Sequence, residues 1–217
     1  MMEITTNRPL DENILKVMKN TIEDTKNIQV LNIFINDNDV YGVYLNSLQH
    51  SLSFLQIPEL TISTDIDGHN ITFIELGFLL RNIYQTGKIS LYNWLLHSSD
   101  IKCNANELYN DLLNCVRRNP PLNLIKSTII NNFDEAMETN DKKIVLGLVQ
   151  QFYMLSEIDD FDVELDNEIN DQNDMIKVKN QLNYLKQELQ SKKYDKISEK
   201  KVNDINNLYV DLQLLQK

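Results

Sequence analysis

Asp37 and Asp39, together with Asp65 further along the chain, are the residues best suited to chemistry by type and spacing. The pair lies in Asn36-Asp37-Asn38-Asp39, at the mouth of an apolar run, and alternate side chains of a strand face the same way. Asp37 and Asp39 would therefore project together, and Asp65 on a neighbouring strand would complete an oxygen-rich pocket. Mg²⁺ is a hard cation that takes such oxygens together with water and substrate phosphates. Two such ions would activate an attacking hydroxyl and stabilise a departing pyrophosphate. The same four residues also make a good hairpin turn, because Asn and Asp side chains bond their own backbone and tolerate unusual dihedrals. Asp67-Gly68 reads as a turn in the same way. Spacing leaves both readings open. An EF-hand does not fit, because Leu48 stands where the loop needs its closing Glu.

These residues need elements to hold them. Residues 11–26 carry Ile14, Val17, Met18 and Ile22 at helical spacing after Leu10, with Asp11 as the expected N-cap. Residues 28–35 form a nearly continuous apolar run, short enough for a buried strand. Val40 to Leu45 reads as a second strand and Leu60 to Ile66 as a third. Thr72-Phe73-Ile74-Glu75 fits the S/T-x-x-E capping box, which predicts a helix through Leu76, Leu79, Leu80 and Ile83 that stops near Gly87.

Beyond Gly87 the pattern turns helical: 90–96, 106–117, 121–137 and 142–158 each show an apolar stripe. Residues 157–174 are strongly acidic, with Phe161, Val163, Leu165 and Ile169 interspersed. Val178, Leu182, Leu185 and Leu189 mark one terminal helix. Val202, Ile205, Leu208, Leu212 and Leu215 mark another, and the two would form a helical hairpin. The fold class is α+β, a small mixed sheet on the N-terminal side with a mostly helical C-terminal half. The domain boundary falls at residues 100/101.

Charge bounds the partners. Thirty-two acidic against 21 basic side chains leave a net charge of -11. Such a chain has no generic attraction for phosphate backbones or anionic membranes. No apolar run is long enough to span a bilayer, and early acidic residues argue against a signal peptide. Cys103 and Cys115 form no CxxC pair, which suits buried thiols in a reducing cytoplasm. His50, His69 and His97 are scattered and read as surface or satisfied histidines. Tyr84, Tyr92 and Trp94 read as core aromatics. The Lys192, Lys193, Lys196, Lys200 and Lys201 cluster reads as a solvated turn before a nucleic-acid contact or a partner of the acidic segment. Abundant Asn and Ile suit an AT-rich phage or viral genome, which would place the protein in a host cytoplasm.

NDNDVYGVYLN at 36–46, DIDGHNI at 65–71 and ELGFLLRNIYQTGKISLYNWLL at 75–96 resemble, in order and phrasing, the DNA polymerase beta superfamily of nucleotidyltransferases. The RNA-repair-associated type of bacteria and phages is the nearest group, and KKIVLGL at 142–148 is similar to one of its helices. The resemblance spans residues 28–158. It implies a nucleotidyltransferase-like core over 1–100 and a helical region over 101–217. It further implies Asp37, Asp39 and Asp65 as catalytic and metal-binding acids, Mg²⁺ as cofactor, and Lys142 or Lys143 as the contact to a nucleotide triphosphate. Against the family's pattern, LNIFI at 31–35 stands where a Gly-Ser phosphate cradle belongs. Tyr41, His69-Asn70, Asn93 and Val149 replace its Arg, Trp-Asp, Glu and second Arg. Two functions follow. One is a degenerate pseudoenzyme that keeps the fold and acts in binding or assembly, meeting a protein through its C-terminal helices. The alternative is an active Mg²⁺-dependent nucleotidyltransferase acting on an unknown acceptor.

Overall fold

A computed structural model describes residues 12–36, 39–47, 61–66, 69–96, 107–166 and 168–215. Asp11, Asp37, His50, Asp67-Gly68, His97, Cys103 and the 100/101 boundary lie outside the described residues. Among the described residues the fold is α+β, a four-stranded mixed sheet followed by a mostly helical half. The chain forms two compact units that interleave along the sequence. One holds residues 1–80, 94–118 and 200–217, and the other holds 81–93 and 119–199.

In the first unit, α1 (Glu12–Lys26) leads into β1 (Ile28–Asn36) and β2 (Asp39–Asn46). Asn27 ends α1 at a φ of 52°, a left-handed position that Asn tolerates, and its N–H bonds the Glu23 carbonyl at 2.9 Å. β3 (Thr61–Ile66) and β4 (His69–Glu75) complete the sheet in the order β1-β2-β4-β3. β1 with β2 and β3 with β4 are antiparallel, whereas β2 and β4 run parallel. The register of β1 shifts between Val30 and Asn32, so the period of two breaks there. That shift lets Val30 and Ile33, three apart, both join the core under α1 with Val40, Tyr44, Ile71 and Phe73. Val43, Leu45 and Ile74 are buried outside that core, as expected where both faces of a sheet are covered.

Two expectations are corrected here. Residues 69–75 are a strand, so the Thr72 capping box is not one: Thr72 pairs with Tyr41 and Ser63 inside the sheet. Glu75, the last residue of β4, does the capping instead. Its Oε2 accepts from the Phe78 N–H at 2.7 Å as α2 (Leu76–Thr86) begins. On α1, Leu15, Met18 and Ile22 reach the core, while Val17 is 64% exposed. The predicted stop at Gly87 holds. Its φ is +65° and its N–H bonds the Ile83 carbonyl at 3.1 Å.

The remaining helices are α3 (Ile89–Leu96), α4 (Glu107–Arg118), α5 (Leu122–Glu138), α6 (Lys142–Ser156), α7 (Gln172–Ser191) and α8 (Glu199–Leu214). The second unit is built on α5, α6 and α7. The α7 stripe of Val178, Leu182, Leu185 and Leu189 is wholly buried there with Ile129, Phe133, Leu148 and Phe152. From residue 200 onward, α8 belongs to the first unit.

The acidic 157–174 segment is not helical over residues 161–166 and 168–170, although Phe161, Leu165 and Ile169 recur every fourth residue. Those three side chains enter the helical core while the backbone runs as an irregular strap. Such backbone needs partners for its polar groups, and side chains of the helices supply them. Tyr153 donates to the Leu165 carbonyl at 2.5 Å, and Gln181 accepts from the Asp166 N–H at 3.3 Å.

Candidate functional site

The antiparallel pairing of β1 and β2 ends on the pair Asn36↔Asp39, so Asp39 sits at the first position of β2. On the far side of the sheet, Asp65 of β3 pairs with Asn70 of β4. Continuing the parallel register one residue back from Val40↔Ile71 sets Asp39 level with Asn70. The row across the sheet therefore reads Asp39, Asn70, Asp65. The two acids share one end of the sheet but lie two strands apart, on the order of 10 Å between backbones at the usual strand spacing. An amide, Asn70, occupies the place between them.

A two-metal site brings its ions within about 4 Å and bridges them with carboxylates. The described residues do not assemble that arrangement: no group of three His, Cys, Asp or Glu that could hold a metal ion occurs among them. Asp65 is exposed, and Asn70 offers a neutral amide beside it.

Beside this row stands an aromatic cluster on β1, β2 and α3. Phe34 and Tyr41 face each other across β1 and β2, with rings stacked 5.6 Å apart. Trp94 of α3 meets Tyr41 edge-on at 4.8 Å and Phe34 at 5.7 Å. Its indole N–H donates to the Gly42 carbonyl at 3.4 Å. All three rings are only half-buried, whereas Tyr92 is fully buried. Offset and edge-on contacts of this kind are the favoured aromatic geometries, so the cluster fixes Trp94 on the sheet.

The two lysines expected at a phosphate have other places. The Lys142 ammonium donates to the carbonyls of Ile169 at 2.9 Å and Asn170 at 3.3 Å, closing the end of the acidic strap. The backbone N–H of Lys143 is capped by Asp141 at 2.8 Å as α6 starts, and its side chain is exposed. Lysine-to-carbonyl bonds recur in this unit. Lys179 reaches the carbonyls of Met137 and Thr139 at the end of α5, and Lys126 those of Gln190 and Lys192 at the end of α7. Each places a cation at a helix C-terminus, where unpaired carbonyls and the helix dipole favour it.

Part of the basic cluster also meets the acidic segment, the option that sequence reading ranked below a solvated turn. Lys192 bridges Asp159 at 3.0 Å and bonds the Asp160 carbonyl, with its ammonium 4.9 Å from the Phe161 ring. Tyr194 donates to the same Asp159 oxygen at 2.5 Å. Burial opposes ionisation of Asp159, but the Tyr194 hydroxyl and the Lys192 ammonium outweigh it and hold its pKa below the ordinary carboxylate value. Burial, together with that hydrogen bond, pushes the Tyr194 hydroxyl well above its ordinary range. Lys193, Lys196 and Lys200 are exposed, as a solvated turn requires. No signal local to the sequence marks these pairings, because the partners lie 27 to 66 residues apart.

In the first unit, the buried Glu75 also accepts from the Tyr209 hydroxyl of α8 at 3.3 Å, and Gln213 donates to Tyr209 at 3.1 Å. This chain ties α8 to the end of β4. No helix among the described residues is long and apolar enough to cross a membrane. No family model matches the chain, and neither a curated protein nor a solved structure matches it at a significant level.

Proposed function

We propose that this chain is a nucleotidyltransferase-like protein that has lost transfer chemistry and serves in binding or assembly. The observation that carries this reading is the row Asp39, Asn70, Asp65, in which a neutral amide stands where acids would have to converge. The engagement of Lys142 with the strap carbonyls supports the same reading, because it gives the expected phosphate ligand a structural task. A protein partner is supported by apolar side chains on the terminal helix and just beyond it. Val210, Leu214 and Leu215 are 42%, 63% and 61% exposed, more than scattered surface hydrophobics require. The acidic balance argues for a protein rather than a nucleic acid in that role.

The active enzyme remains the second reading, favoured by one observation: Asp39 and Asp65 are level at one end of the sheet. Incubation with each α-³²P-labelled nucleoside triphosphate, Mg²⁺ and either RNA or the protein itself as acceptor separates the two. The binding reading expects no label on either acceptor. Label transferred by the wild type and lost in Asp39→Asn would overturn it.

A further inference from the structure

The connection between α6 and α7 is longer than joining two packed helices requires. It takes fifteen residues, 157–171, where neighbouring helices of a bundle are joined by about 2–8. Connections of about 12–15 residues without secondary structure are uncommon and usually functional. This one runs back along α6, from the end of that helix to its start. Phe161 stacks on Phe152 with ring centroids 5.9 Å apart, the Leu165 carbonyl meets the Tyr153 hydroxyl, and Ile169 and Asn170 meet the Lys142 ammonium. α7 supplies the other wall: Lys177 bridges Asp166 at 2.7 Å, and Gln181 accepts from the Asp166 N–H. The strap thus fills a groove within the second unit.

Its attachment differs from that of the helices beneath it. Among the described residues of 160–170, every hydrogen bond from the strap's main chain to α6, α7 or the residues after them runs to a side chain. α6 and α7 hold their own main-chain ladders, so release of the strap breaks no secondary structure. Burial rests on three anchors, Phe161, Leu165 and Ile169. Asp162, Glu164 and Glu168 between them are exposed and repel one another. Segments with few buried apolar contacts open locally, ahead of global unfolding.

We propose that the strap is a releasable cover: it detaches while α5, α6 and α7 stay folded, and the groove it leaves takes an extended segment of a partner protein with the strap's own pattern, an apolar residue at every fourth position and carboxylates between. The occupant already seated defines the chemistry of the partner. The groove accepts Phe, Leu and Ile at that spacing. Lys142 stands at one end as a donor to carbonyls, and Lys192 stands at the other as a donor to a carboxylate and a carbonyl. With the strap seated, the groove is closed to the partner. The proposal goes beyond the loss of transfer chemistry and does not depend on Asp39.

The test follows the fluorescence anisotropy of a labelled peptide with the sequence of residues 157–171, titrated with the full-length chain. Phe161→Ser combined with Leu165→Ser empties the groove, and this variant, once a urea midpoint shows that it is folded, should bind the peptide saturably. The wild type should bind it at least about tenfold more weakly, because its own strap keeps most molecules closed. A peptide of the same composition in scrambled order should not bind. A folded variant that ignores the peptide, or that binds the scrambled one equally, would overturn the proposal. Release is read without that variant by thiol labelling in a Cys103→Ser, Cys115→Ser background. There Leu165→Cys should label at least about a hundredfold faster than Leu185→Cys in the core beneath, since it needs only local opening. Equal rates at the two positions, both set by global unfolding, would equally overturn it.

Discussion

Asp65 of β3 stands directly opposite Asn70 of β4, and the register places Asn70 between Asp65 and the backbone of Asp39. On the proposed reading, this row holds no divalent ion. Anything that binds only the native state raises its stability by mass action. Millimolar Mg²⁺ is therefore expected to leave the melting temperature of the wild type unchanged. Asp65→Asn, an exposed change, should alter stability by no more than about 0.5 kcal/mol. Differential scanning calorimetry with and without Mg²⁺ checks both. A rise with Mg²⁺ that disappears in Asp65→Asn would mean that the acids do converge.

Lys142 is a structural residue in this account. Replacing it by Met removes two hydrogen bonds to the strap carbonyls but keeps the aliphatic stem. The expected loss is about 1 kcal/mol, since the residue is partly solvated. Lys143→Met, next in sequence and exposed, should stay within about 0.5 kcal/mol. Urea midpoints at unchanged m-value measure the contrast. Equal effects at the two positions would remove the role assigned to Lys142.

The pairing of Asp159 with Tyr194 and Lys192 predicts a pH dependence of definite sign. The folded pKa of Asp159 is depressed, so its contribution is present above the ordinary value of 3.8 and is lost as pH falls through the folded value. Tyr194 is shifted the other way. Its contribution is complete below its ordinary value of 10.0 and is lost as pH rises beyond that. Tyr194→Phe should cost about 1–2 kcal/mol at neutral pH and flatten the decline at both extremes. Unfolding free energies at acid, neutral and alkaline pH supply the test, and an unchanged pH profile in the variant would contradict it.

Gly42 is required by a close approach and not by an unusual backbone angle. A Cβ there would collide with the Phe73 ring on β4 and stand 2.6 Å from the Asn32 carbonyl oxygen on β1. Both neighbours are buried, so neither has room to withdraw. Gly42→Ala should destabilise by about 1–3 kcal/mol as overpacking. Gly147→Ala meets nothing within 4 Å on α6 and should stabilise slightly through helix propensity. Thermal melts of the two variants should move in opposite directions.

Sequence patterns recovered the elements whose apolar period was clear, such as the α7 stripe from Val178 to Leu189 and the stop at Gly87. β4 escaped because Thr72-Phe73-Ile74-Glu75, directly ahead of α2, mimics a helix start. The strap carries no clear sequence signal of its path. Phe161, Leu165 and Ile169 have helical spacing, yet the segment runs irregularly and is held by Tyr153, Gln181 and Lys142 from distant positions. At the candidate site, residue types were legible but their convergence was not. Whether Asp39 and Asp65 meet depends on strand order, and β4 lies between the two strands that carry them.

We propose that the acids at the sheet end hold no metal-bound nucleotide. Equilibrium binding of a fluorescent nucleoside triphosphate to the full chain, measured with Mg²⁺ and with EDTA, tests it most directly. The account predicts no Mg²⁺-dependent binding and no difference between wild type and Asp39→Asn. Saturable binding that requires Mg²⁺ and is lost in Asp39→Asn would contradict it.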